Sequence, residues 1–123
     1  MLGKFTREEA PQLYQKGHIL LHLKSLDPCP NIVLEALASG LPVVGLNNGG
    51  MPELVSNSSG TLIPAEENFE DFSYPDSGEV ANAIIQVRDN LDNLSRDARE
   101  QALKFDTEIW LKKHQEIFNK ILK

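Results

Sequence analysis

Residues 27–46 read DPCPNIVLEALASGLPVVGL, and their punctuation decides the fold. Asp27–Pro30 forms a turn, because two prolines within four residues deny the backbone the donors that a helix or a ladder needs. From Asn31 to Ser39 the residues Ile32, Leu34, Ala36, Leu37 and Ala38 make a compact apolar helix, and Gly40 stands where a left-handed cap is easiest. Leu41–Leu46 is then an apolar run of strand length, with Pro42 tolerable only at its start.

Working outward, His18–Leu23 (HILLHL) is a buried strand and Lys24–Asn31 a turn rich in Ser, Asp and Pro. Ahead of it, Thr6 and Glu9 have capping-box spacing, and a helix start nearer Ala10, with Pro11 in first position, is equally defensible. Either start leads to Lys16, and Met1–Gly3 resembles the tail of an earlier strand. Downstream, Asn47–Gly50 is a loop, Pro52–Val55 a helical turn, Ser56–Gly60 a turn and Thr61–Ile63 a strand. Strands alternating with helices predict an α/β fold with parallel strands, right-handed crossovers and ligands beyond the carboxyl ends of the strands.

Ala65–Ser77 is an acidic surface loop in which Phe69, Phe72 and Tyr74 argue against a disordered tail. Helices are expected over Glu79–Leu91, Leu94–Leu103 and Thr107–Leu122, with their apolar faces covering the sheet. The stripe of Ile109, Trp110, Ile117, Phe118 and Ile121 reads as core packing. At 123 residues the chain forms one domain: alternating elements over 1–64, the acidic loop over 65–77 and C-terminal helices over 78–123.

The net charge of −6 disfavours attraction to nucleic acid or an anionic membrane, so any phosphate site must be built locally. The single cysteine, Cys29, has no internal partner, and a reducing, cytoplasmic setting is the simpler expectation. No apolar run reaches the roughly 20 residues of a spanning helix, MLGKFTREE lacks the apolar centre of a signal peptide, and a soluble chain is expected. Neither a GxGxxG nor a GxxxxGKS phosphate loop is present.

Asp27 and Glu35 flank the junction of turn and helix, and two carboxylates on one rim can accept from neighbouring sugar hydroxyls. The N–H groups of Asn31, Ile32 and Val33 lie at the positive helix end, where a pyrophosphate is stabilised without a lysine. The same positions allow a plainer role, with Asp27 or Asn31 capping the helix and Glu35 solvated. Cys29 ahead of a helix could act as a nucleophile, although no base accompanies it and a filling role suffices. His18 and His22 on one strand face would stand about 13 Å apart, too far for one metal ion, and both read as structural, with His22 near the cleft end. His114 on the last helix is expected to be solvated.

The stretch QLYQKGHILLHL from Gln12, Ser25, then DPCPNIVLEALASGLPVV, NNGGMPELV and GTLIP resembles the group 1 glycosyltransferases, also called family 4. The likeness runs from Gly3 to Pro64 in consecutive order, and the helix around Trp110 resembles the family's end, which can cross to the other domain, the alternative to core packing for its apolar stripe. It implies the C-terminal part of the donor domain of a GT-B enzyme: a three-layer Rossmann-like unit with a short parallel sheet and a C-terminal helical segment. By resemblance Glu35 holds the ribose hydroxyls, Asp27 approaches the donor sugar, and the amides of Asn31 and Ile32 bind the diphosphate. Cys29 and Pro30 replace the family's aromatic and glycine, and Asp27 is shorter than its glutamate. Gly49, Gly50 and Glu53 match positions near the cleft, where a turn would equally require the glycines.

The resemblance further implies a retaining transfer of a hexosyl group from a nucleotide diphosphate sugar, with Asp27 and Glu35 positioning the donor. It calls for no metal and no cofactor, and implies a role in polysaccharide biosynthesis and peripheral membrane association of the full enzyme. The expected partner is a missing N-terminal GT-B half with the acceptor site; an arginine and a lysine that meet the phosphates precede this part of the family. The alternative is a noncatalytic nucleotide-sugar-binding or interaction module.

Overall fold

The computed structural model describes residues 5–72 and 74–123, so the strand tail expected at Met1–Gly3 lies outside the described residues. The elements are α1 (Ala10–Tyr14), β1 (Leu20–His22), α2 (Asn31–Ala38), β2 (Val43–Asn47) and α3 (Met51–Leu54), followed by β3 (Gly60–Pro64), α4 (Ser77–Asp89), α5 (Leu91–Leu103) and α6 (Thr107–Ile121). The strands form one parallel sheet in the order β1, β2, β3. Val43 pairs with Leu20 on one side and Gly60 on the other.

Consecutive strand residues point to opposite faces, so fully buried Val43 and Val44 belong to different cores. Val43 packs with Val33 and Leu37 of α2, Met51 and Leu54 of α3 and Ala98 of α5. Val44 packs with Ile63 of β3, Ala83 and Val87 of α4 and Leu94 of α5. The sheet is therefore a middle layer between helices, as the resemblance implied, and its strands are parallel, as the alternation predicted.

α5 also serves the ends of other elements. Ser95 Oγ donates to the Gly40 carbonyl at 2.6 Å, an Arg99 guanidinium nitrogen to the Ala38 carbonyl at 3.0 Å, and Gln101 Nε2 to the Leu54 carbonyl at 3.0 Å. Carbonyls at helix ends have no intrahelical partner, and these three side chains satisfy them at α2 and α3. Gly40 itself has φ 77°, the left-handed cap expected after α2.

Several boundaries differ. β1 is shorter than His18–Leu23 because the residue preceding Val43 in the partner strand is Pro42, which accepts from the Leu20 N–H but has no N–H to return. β2 begins after Pro42 and extends to Asn47, and β3 is one residue longer at each end than expected. α1 spans Ala10–Tyr14 with Pro11 in its first turn, and half the capping box forms: the Thr6 N–H donates to Glu9 Oε2 at 2.7 Å. α4 starts earlier than Glu79, fixed by an Asp76–Glu79 capping box, and α5 begins at Leu91 after a break at Asn90.

Two packing expectations fail. The segment lies at the surface as expected, but Phe69, Phe72 and Tyr74 are all exposed and do not fold back onto the core. α6 has no buried residue, and Trp110, Ile117, Phe118 and Ile121 are each more than half exposed. The helix that packs into both cores is α5, through Leu94 and Ala98; amphipathicity records that α6 suits an apolar partner, and this chain supplies none among the described residues. Nor is His114 simply solvated, since its ring stacks on Trp110 with centroids 3.8 Å apart. No described helix is long and apolar enough to cross a membrane.

Candidate donor site at the carboxyl edge of the sheet

The strands end at His22, Asn47 and Pro64, so the loops that follow them meet at one edge of the sheet. Asn48 ties the three together. It is fully buried; its Oδ1 accepts the Leu26 N–H at 3.0 Å, and its Nδ2 donates to Ser25 Oγ at 3.1 Å and to the Glu66 carbonyl at 3.2 Å. Sequence reasoning missed this residue. An amide directly after an apolar strand was its only cue, and any turn asparagine gives the same one.

Asp27 is buried, and its Oδ2 lies 3.2 Å from both His22 Nε2 and Lys24 Nζ. His22, at the end of β1, has a mostly buried side chain, whereas that of Lys24 is 68% exposed, so the histidine is the structural partner and the lysine a screened one. His18 lies ahead of β1, so the two histidines do not share a strand face.

The Asp27 backbone fixes the glycine pair. The Gly50 N–H donates to the Asp27 carbonyl at 2.9 Å. A Cβ on Gly50 would overlap the Pro28 carbonyl; one on Gly49 would stand 2.6 Å from the Asp27 carbonyl oxygen, and Gly49 also has φ 58°. Both positions thus require glycine through close backbone approach. On the facing strand-end loop Leu26 has φ 54°, a strained conformation for a branched side chain, and its N–H is the one that Asn48 holds.

α2 begins beside this cluster. Its N-cap is Pro30, with no side-chain cap, so the capping role open to Asp27 and Asn31 is not taken. The Val33 N–H, expected to be free, donates to the Pro30 carbonyl at 3.0 Å. The Asn31 and Ile32 N–H groups have no acceptor among the described residues and point out of the helix's positive end. Cys29 is exposed ahead of them, and Glu53 is exposed on α3.

Glu35 belongs to a second cluster. Exposed one turn into α2, it accepts the Tyr14 hydroxyl on Oε2 at 2.8 Å. Partial burial, then the hydrogen bond to Glu35 and then the charge of Glu35 push the Tyr14 phenol up to about 12. The two residues line an open pocket of about 410 Å³ together with Phe5, Thr6, Pro11 and Ser39. Asp27, Gly49 and Gly50 therefore meet through the backbone, Asn31 and Ile32 lie at the helix end between, and Glu35 faces a different hollow. Tyr14 was a second omission, because a contact spanning 21 positions leaves no local pattern.

Comparison with known proteins gives this geometry a family. The family model described as glycosyl transferases, group 1, matches residues 1–90. The chain is 26% identical over 110 residues to sulfoquinovosyl transferase SQD2 of Arabidopsis thaliana, covering 85% of this chain and 20% of that protein. It is 28% identical over 130 residues to a probable sucrose-phosphate synthase of Thermosipho melanesiensis, covering 98% of this chain and 28% of that protein. Its fold is similar to the pneumococcal O-GlcNAc transferase GtfA, solved in complex with UDP and GlcNAc, with a TM-score of 0.65 at 21% identity, over 93% of this chain and 23% of that one. The chain thus spans 20 to 28% of the length of these curated relatives.

Proposed function

Because this chain belongs to the group 1 glycosyl transferases, we propose that it carries the donor-binding part of an enzyme that moves a hexosyl group from a nucleoside diphosphate sugar to an acceptor hydroxyl, with retention at the anomeric carbon. The observation that carries this reading is the pocket of about 410 Å³ holding Glu35, one helical turn from the uncapped amides of Asn31 and Ile32. Four residues of helix separate them by about 6 Å, a distance suited to a ribose in the pocket and its diphosphate at the helix end. Phe5 and Pro11 give the pocket an apolar wall for the base.

The chemistry follows from those positions. The bond between the anomeric carbon and the diphosphate oxygen breaks, one to the acceptor oxygen forms on the same face, and the acceptor's hydroxyl proton leaves on the diphosphate. Charge grows on the departing diphosphate, and amides already aimed at it stabilise that charge without reorganising. Glu35 holds the donor and does not act as a base. Asp27 keeps Oδ1 for a donor-sugar hydroxyl while His22 and Lys24 hold Oδ2.

The acceptor site belongs to a second GT-B half, and the bare apolar face of α6, with Trp110 and Phe118, is the surface on which that half packs. Uridine nucleotides are the first ligands to try, since the fold relative GtfA was solved with UDP. Titration with uridine and guanosine diphosphate sugars, with and without an added GT-B N-terminal domain, tests the reading. Saturable binding below millimolar ligand is expected, and its absence in both formats would sink the enzyme. Binding unchanged in Glu35→Ala would remove the ribose assignment alone.

A further inference from the structure

We propose that Tyr14 is a positioning residue for Glu35, its hydroxyl holding the carboxylate in the pocket wall ready to accept from the two ribose hydroxyls. The inference rests on the reading of Glu35 as the ribose contact. It starts from a contrast between the site's two carboxylates. Asp27 is buried, and a histidine and a lysine share one of its oxygens. Glu35 is exposed, and the one hydrogen bond its carboxylate accepts among the described residues comes from the neutral Tyr14 hydroxyl at 2.8 Å.

That difference has a chemical meaning. An exposed glutamate has three rotatable bonds, and fixing it on a ligand opposes binding through lost rotamer freedom. Tyr14 removes part of that freedom beforehand, since its own phenol is rigid and rooted at the end of α1. A carboxylate offers about four lone-pair sites, and the tyrosine occupies one on Oε2. Oε1 and the rest of Oε2 stay open for two hydroxyl donors. Because the donor is uncharged, the carboxylate keeps its full negative charge for those hydroxyls; a lysine at Tyr14 would hold Glu35 as firmly but would cancel that charge.

Both side chains line the same pocket, with Ser39 and the α1 residues Ala10 and Pro11, so the hydrogen bond sits in the wall where a ligand would touch it. α1 is a five-residue helix with a single buried residue, Ala10, and Tyr14 is its link to the carboxylate of α2.

The test compares calorimetric affinities for uridine diphosphate and its 2′,3′-dideoxy counterpart, and for the matching guanosine pair, in this chain. The wild type should prefer the diol by about tenfold or more, the worth of hydrogen bonds to a charged acceptor. Tyr14→Phe should reduce that preference to about threefold or less while leaving the dideoxy nucleotide's affinity unchanged. Glu35→Gln, the second variant, should show the same collapse, and adding Tyr14→Phe to it should change nothing further. Equal weakening of both nucleotides in Tyr14→Phe, or an intact preference, overturns the proposal. A wild type that binds both nucleotides alike overturns the ribose assignment, and one that binds neither overturns the donor site and this inference with it.

Discussion

Asn48 Oδ1 accepts the Leu26 N–H at 3.0 Å across 22 positions of sequence, and so binds the loop after β2 to a strained residue in the loop after β1. Asn48→Ala would remove the acceptor of that N–H and the donor to Ser25 Oγ and the Glu66 carbonyl, and would leave a gap at a fully buried position. A loss of about 2–4 kcal/mol is expected, in the range of broken buried networks. Urea unfolding should show a lower midpoint with an unchanged slope.

Gly50→Ala should be worse than most surface changes at an exposed loop. The added methyl would run into the Pro28 backbone, which cannot yield as a flexible side chain would. At least about 3 kcal/mol of destabilisation is expected, since both overpacking and a displaced loop contribute. The measurement is soluble yield with denaturant unfolding; an alanine variant as stable as the parent would mean the two loops lie further apart.

The Tyr14–Glu35 pair has a pH signature. Tyr14's phenol is pushed from 10.0 to about 12, so the folded state retains its proton longer than the unfolded state. The stabilisation from this group is complete below pH 10 and is lost as the pH rises through about 12. Ultraviolet difference titration should reveal a late tyrosinate step that vanishes in Tyr14→Phe and moves to lower pH in Glu35→Gln. A Tyr14 step unmoved by Glu35→Gln would contradict the contact.

α6 contributes no buried residue, so removing residues 107–123 should leave the thermal midpoint of the rest nearly unchanged, within about 1 kcal/mol of stability. The same deletion should reduce concentration-dependent self-association, because it removes the exposed Trp110, Ile117 and Phe118. Sedimentation velocity on both forms checks the second part.

Much of the fold was legible in the chain because its runs are short, apolar and closed by Gly or Pro. Val43 and Val44 follow Pro42 directly, and Gly40 closes α2, so a period switch is written at each junction. The group 1 resemblance was legible in the same segment. What could not be read were relations between distant residues. Asn48 and Tyr14 carry no periodic signal, and their importance exists only once Leu26 and Glu35 are brought to them. Likewise the stripe on α6 and the aromatics at Phe69 and Phe72 announced an apolar appetite without saying whether this chain feeds it.

The clamp formed by α5 bears on how the molecule is made. Ser95 and Arg99 reach the C-terminal end of α2 across 55 and 61 positions, so the helix that would face the diphosphate is finished only by residues synthesised long after it. On a ribosome, the 27–40 segment would emerge without its anchor and wait for the residues 55 and 61 positions further on, a contact order that slows folding and prolongs exposure of Leu37 and Val33. A nascent chain arrested before Ser95 should therefore be protease-sensitive within α2, and one that has released Gln101 should be resistant.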